Sequence, residues 1–162
     1  MTRRSILISL STVISVIALS FVVGVTASGG NRPSASGHGN LTLLDGTLRT
    51  FSFHASTDRN GNVSGSVNLH NRSLDVHTKA SINCLSVTGN IATMSGTITN
   101  GSNAGSPAIV RVIDNGEGSN APEDRISLLS VNTTPNAPPF NCTAILSFAT
   151  FNIEGGNVQV RP

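Results

Sequence analysis

The strongest constraint on the fold is an alternation of apolar and polar residues. It occurs in short segments that are separated by residues typical of turns. In residues 48–55, for example, the apolar residues Phe51, Phe53 and Ala55 alternate with polar residues and therefore share one face. A period of two is typical of a half-buried strand, and pairs such as Asp45-Gly46 favour hairpin turns. The pattern predicts an all-β domain, a single antiparallel β-sandwich or barrel of about 8–10 short strands.

The alternation divides the chain into a short lead-in and one domain. Residues 28–38 are rich in Gly and Ser and predict a flexible lead-in, so residues 39–162 form the β-domain. Residues 132–143 are rich in proline and predict an irregular crossover. Further strands are predicted in the remaining apolar segments, at 41–44, 63–69, 74–79, 82–88, 91–99, 108–113, 125–131, 144–153 and 157–160.

The first 27 residues predict export. Arg3 and Arg4 precede an apolar run that ends at Val25-Thr26-Ala27, where small residues suit a signal peptidase. We expect a cleaved signal peptide at 1–27 and a secreted, extracellular protein. A retained anchor formed by residues 5–25 is the alternative, because the run has about the length of a bilayer span.

Removal of this segment changes the charge of the chain. Arg3 and Arg4 are two of ten Lys and Arg residues, so eight remain against eight Asp and Glu. The rest of the chain has no cluster of Lys or Arg, and the sequence has no Trp or Tyr, so phosphate contacts and stacking platforms are missing. We therefore expect no nucleic-acid partner, membrane contact only through an uncleaved N-terminal segment, and a surface or matrix partner of unknown identity.

The two cysteines, Cys84 and Cys142, predict one disulfide, because an even count in an exported protein favours pairing. Closing a loop of that length stabilises a fold by about 4 kcal/mol on the chain-entropy model. Two separate buried thiols are the alternative.

An acidic loop follows the segment at 108–113 and is the candidate metal site. Carboxylate and amide oxygens are the ligands that Ca²⁺ prefers, and the loop matches no known calcium motif. The role that we favour is a turn whose acids stay solvated or pair with Arg111 or Arg125, with a calcium site as the alternative. The candidate calcium ligands are Asp114, Asn115, Glu117 and Asp124, with Glu123 beside them; no other cofactor is expected.

Two further sets of polar side chains fall on outward strand positions or in turns. His70 and His77 could approach each other across a hairpin as a metal pair or an acid/base pair, but we favour surface histidines, like His54. A row of hydroxyls predicts an ordinary solvent face, with a flat glycan-binding face as the alternative. This row is Thr93, Ser95, Thr97 and Thr99.

Several segments together resemble small exported bacterial β-domains of the kind found after choice-of-anchor surface proteins. Five motifs carry the resemblance in order: FSFHAS at 51–56, GNVSGSV at 61–67, CLSVTGNIATMSGTI at 84–98, VIDNGEGSNAPEDRISL at 112–128 and EGGNVQV at 154–160. The chain departs from the commonest pattern in a longer SNAPE insert at 119–123. The resemblance implies an all-β exported domain and supplies no reaction.

The sequence favours a non-enzymatic role. It contains no nucleophile elbow, zinc-protease motif, Walker loop or Rossmann glycine pattern. We expect an exported binding or structural module at the cell surface or in the medium. The alternatives are a small secreted carbohydrate-active enzyme that uses loop carboxylates, and a small-molecule carrier with an apolar cavity in a β-barrel.

Overall fold

The fold is a single antiparallel sheet, seen in a computed structural model that describes residues 32–144 and 146–162. The described residues contain no helix, which confirms the predicted fold class. The ten strands are β1 Ser34–Thr42, β2 Leu48–Thr57, β3 Val63–Asn71, β4 Val76–Thr88, β5 Ile91–Asn100, β6 Pro107–Ile113, β7 Arg125–Ser127, β8 Ser130–Val131, β9 Thr150–Asn152 and β10 Gly155–Arg161. The predicted signal peptide and its anchor alternative lie outside the described residues.

The sheet is an up-and-down meander that curls into a half-barrel. Its strand order is β10-β1-β2-β3-β4-β5-β6-β7-β9, and β8 pairs with β6 beside β7. β9 and β10 lie at opposite edges of this order, although only Ile153 and Glu154 separate them in the chain. The two edges of the sheet therefore come together where β9 runs into β10.

The core fills the concave side of the sheet. Alternate residues of β2 and β3, such as Phe51, Phe53 and Val67, are 5% exposed or less. Small residues of β1 let these rings approach, and a Cβ at Gly37 would lie 2.8 Å from the Phe53 ring. Large aliphatic side chains from later strands complete the core, chiefly Ile82, Met94, Ile98, Val110, Val112, Ile126 and Val158.

A β-bulge in β4 reverses which side chains face the core. The register with β5 shifts between Ile82 and Cys84, so Ile82 is buried inside while Cys84 pairs with Ser95 of β5. A bulge inserts one extra residue and thereby moves the following side chains to the other face. The predicted strands at 74–79 and 82–88 are thus one bent strand, and Cys84 lies on the convex face.

The crossover after β8 packs on this convex face. Cys142 forms the predicted disulfide with Cys84, with a Cα–Cα distance of 5.9 Å. Ser95 donates a hydrogen bond to the Phe140 carbonyl at 2.8 Å, and Arg111 lies 4.7 Å from the centre of the Phe148 ring. The crossover therefore forms a second layer over β5 and β6.

Two predicted boundaries were wrong. Residues 34–38 of the predicted lead-in belong to β1, because this segment pairs with β2 on one side and β10 on the other. In the long strand predicted at 144–153, the described residues form only β9, at Thr150–Asn152. The apolar residues before β9 include Phe148, whose ring packs against the Arg111 side chain of β6 and so belongs to the convex layer.

Candidate functional site

The acidic loop between β6 and β7 binds the edge strand β10. Asp114 Oδ2 accepts a hydrogen bond from the Val160 amide at 2.9 Å, and Asp124 Oδ2 accepts one from the Val158 amide at 2.8 Å. Glu117 accepts a third from the Asn157 side chain at 2.9 Å. These carboxylates occupy the place of a neighbouring strand, because they satisfy amides that β10 presents at the edge of the sheet.

The same carboxylates also order their own loop. The second oxygen of Asp114 accepts from the Gly116 amide at 2.9 Å, and that of Asp124 accepts from the Asn115 amide at 2.8 Å. Each of the four Asp oxygens thus has an amide donor. Calcium binding by Asp114, Asn115, Glu117 and Asp124 stays a prediction, while the observed contacts of Asp114, Glu117 and Asp124 with β10 close the half-barrel.

The open end of the half-barrel forms a concave mouth with a volume of about 290 Å³. Its lining is mainly apolar, and two apolar rim residues remain exposed: Val76 at 40% and Leu128 at 43%. Exposed apolar side chains at a concave site are typical of a binding surface. The other apolar lining residues are Leu41, Leu69, Ile126, Leu129 and Val131.

Among the described residues, Arg49 is the one basic residue that lines this mouth. It shares the strand parity of Phe51, which directs it to the concave side, and it is half-buried. All eight acidic residues of the chain lie in the described part, and none has a carboxylate oxygen within 4.0 Å of the guanidinium. The pKa of the Asp45 carboxyl, in the nearby turn, is lowered chiefly by hydrogen bonds from Thr47 and to a smaller extent by the charge of Arg49.

His70 and His77 lie on the opposite, convex side of the β3–β4 hairpin. They are direct partners in the register, and their rings stack with centroids 3.8 Å apart and an angle of 15°. Asp75 Oδ1 lies 3.0 Å from His70 Nε2 and 3.7 Å from His77 Nε2. The predicted approach of the two histidines is therefore observed, with a carboxylate between their Nε2 atoms. His54 is exposed, as predicted.

The predicted hydroxyl face is divided by the crossover. Thr97 and Thr99 are exposed, but Thr93 and Ser95 are buried at 4% and 1%. The crossover covers this half of β5, where Thr93 accepts a hydrogen bond from Arg111 at 3.2 Å. The prediction of a continuous solvent face was wrong for these two residues.

The disulfide is the structural feature that bears on cellular location. A bridge between Cys84 and Cys142 indicates an oxidising compartment, since cytosolic thiols are kept reduced. Within residues 32–144 and 146–162 the structure contains no apolar helix of membrane-spanning length.

No family model, curated protein or solved structure matches the chain. The resemblance to exported bacterial β-domains therefore stays a prediction.

Two residues of these sites were missed by sequence reasoning. Arg49 carries a readable signal, because it stands two positions before Phe51 in a strand whose alternate residues face inward. Asp75 shares the predicted outward face of residues 74–79 with His77, but its approach to both rings depends on a left-handed backbone with φ of 52°.

Proposed function

We propose that this chain is an exported, non-enzymatic binding module, acting at the cell surface or in the surrounding medium, whose ligand site is the mouth of the half-barrel. The ligand class is a small amphipathic carboxylate, a molecule with an apolar tail and one acidic group. The observation that carries the proposal is Arg49, a guanidinium without an acidic partner in a mainly apolar concavity.

Charge complementarity selects the acidic group of the ligand. Guanidinium binds a carboxylate through two parallel N–H···O bonds, and such charge-assisted bonds are stronger than neutral ones. Arg49 forms no hydrogen bond with a described residue through its side chain, whereas Arg111 and Arg125 donate to Thr93 and to the Thr150 carbonyl. Arg49 is therefore free to bind an anion.

The apolar lining selects the tail. Burial of apolar surface contributes about 25 cal/mol per Å², and Val76 and Leu128 leave such surface exposed at the rim. The mouth lies near the lower end of the volume range of ligand pockets, about 300–1,000 Å³. This size suits a short aliphatic chain and is too small for a bulky polycyclic ligand.

The contacts of the acidic loop favour binding over hydrolysis. A glycoside hydrolase needs two carboxyl groups facing its substrate at about 5–9.5 Å. Both oxygens of Asp114 and of Asp124 instead accept hydrogen bonds from backbone amides. The oxidising compartment that the disulfide indicates supports export, together with the predicted signal peptide.

Isothermal titration with decanoate tests the proposal, with decanol as the matched ligand that lacks the acidic group. We expect saturable binding of decanoate, weaker binding of decanol, and a loss of about 10- to 100-fold in decanoate affinity in R49Q. R59Q removes an exposed arginine of the β2–β3 turn and should bind like the unmodified protein. Equal decanoate affinities for R49Q and R59Q, or no binding at all, would refute the site.

A further inference from the structure

The convex side of the β3–β4 hairpin carries a second constellation, independent of the mouth. Among the described residues, one set of three His, Cys, Asp or Glu side chains has ligand atoms that all lie within 4.8 Å of one another: His70, Asp75 and His77. We propose that these three side chains bind one divalent transition-metal ion of the Zn²⁺ or Cu²⁺ class.

The hairpin fixes the positions of the three ligands. His70 and His77 are register partners one pair before the last pair of the hairpin, Asn71 and Val76, so their side chains lie side by side. Asn71 Oδ1 accepts hydrogen bonds from the amides of Ser73 at 3.2 Å and Leu74 at 3.3 Å, which orders the turn. The chain then reaches Asp75 with φ of 52° and turns its carboxylate back toward both rings.

The distances are close to those that a metal requires. Metal–nitrogen and metal–oxygen bonds of about 2.0–2.2 Å place neighbouring ligand atoms of a tetrahedral site about 3.3 Å apart. The two Nε2–Oδ1 distances, 3.0 and 3.7 Å, bracket that value. The stacked rings have to rotate for their lone pairs to converge, and the side chain of His77 is 68% exposed and free to do so.

The ligand types select the metal. Imidazole nitrogen favours Zn²⁺, Cu²⁺ and Ni²⁺, whereas Ca²⁺ and Mg²⁺ prefer oxygen alone. One carboxylate and two neutral imidazoles leave a net positive site, with at least one coordination position open to water or to an outside ligand. Asp75 and His77 lie at the surface, so this position faces solvent.

The matched variants come from the same chain. H77A removes an exposed ligand and D75N removes the carboxylate charge, both at the tip of a hairpin and outside the core. H54A removes another exposed histidine, in β2, that has no part in the cluster. All four proteins must lack a polyhistidine tag, which itself binds these metals.

Titration with Zn²⁺ measures affinity, and Co²⁺ absorption reports tetrahedral nitrogen–oxygen coordination. We expect one Zn²⁺ per chain, a loss of about tenfold or more in affinity for H77A and D75N, and no change for H54A. H77A should also lose the Co²⁺ spectrum while keeping the circular dichroism of the unmodified protein.

Equal Zn²⁺ affinities for H77A and H54A, or no Zn²⁺ binding by the unmodified protein, would overturn the proposal. Neither outcome affects the mouth, because Arg49 lies on the other face of the sheet. A decanoate titration of H77A separates the metal site from the mouth. The affinity of H77A for decanoate should match that of the unmodified protein.

Discussion

Asp58 shows how single side chains order the turns of this molecule. Its Oδ1 accepts hydrogen bonds from the amides of Asn60 at 2.7 Å and Asn62 at 2.9 Å, and its Oδ2 accepts one from the Asn62 side chain at 3.0 Å. These bonds, chiefly those from Asn62, lower the pKa of the Asp58 carboxyl. The ionised carboxylate is thus the form that stabilises the turn.

A lowered pKa makes this contribution depend on pH. The stabilisation is present above the unfolded-state pKa, about 4, and is lost as the pH falls through the lower folded-state pKa. We expect D58N to have a lower Tm than the unmodified protein at pH 7, with a difference that shrinks as the pH falls below about 4. Thermal unfolding at pH 7, 5, 3 and 2 measures this; an unchanged difference in Tm at all four values would contradict it.

At the residue scale, inward and outward positions were predictable except where a β-bulge reverses them. The alternation around Phe51 and the outward histidines follow from strand parity alone. The reversal at Cys84 does not, because a β-bulge leaves no distinct mark in a strand of Ser, Asn and apolar residues.

At the element scale, the crossover depends on the disulfide for its attachment. Cys84 and Cys142 are 58 residues apart in the chain, so the bond restricts a long loop in the unfolded state. The C84S/C142S double variant should lose about 4 kcal/mol of unfolding free energy, within the usual range of about 2–5. Urea unfolding measures the loss, and the same variant should expose Thr93 and Ser95 amides to faster hydrogen exchange. A loss below about 1 kcal/mol would show that the side-chain contacts hold the crossover alone.

Strands joined by short turns were predicted well, and segments held by distant contacts were not. The hairpins from β1 to β6 follow from alternation and from turn pairs such as Asp45-Gly46. The residues before β9 are as apolar as a strand, but they contact the convex face through partners such as Arg111, far away in sequence. Local patterns contain no information on such a partner.

At the scale of the whole molecule, the acidic loop determines how the sheet closes. Val158 is fully buried, and its amide depends on Asp124 as acceptor. D124A should therefore lose about 3 kcal/mol of unfolding free energy, because hydrogen bonds to charged groups contribute about 1.5–3 kcal/mol each.

Glu123 supplies the matched control for this prediction. Its side chain forms no hydrogen bond with a described residue, so E123A should change stability by less than about 0.5 kcal/mol. Urea unfolding measures both variants, and hydrogen exchange at Val158 and Val160 locates the effect. Similar stabilities for D124A and E123A would mean that these carboxylates do not close the half-barrel.

The sequence left the choice between a sandwich and a barrel open, because the contacts that decide it join residues far apart in the chain. A single curled sheet results because residues 114–124 reach β10, more than thirty positions further along the chain. The sequence shows only that the loop is acidic. Acidic side chains can serve equally well as oxygen ligands for a cation or as hydrogen-bond acceptors for backbone amides.

Binding of small amphipathic carboxylates at the mouth beside Arg49 can be followed residue by residue. The measurement is a ¹H–¹⁵N correlation spectrum titrated with decanoate, because each amide reports its own surroundings. We expect saturable shifts confined to amides around the mouth, including Arg49, Asn71, Val76 and Leu128, and absent from the convex face at Ser66 and Ser81. Shifts that do not saturate, or that fall elsewhere and leave Arg49 and Leu128 unchanged, would contradict it.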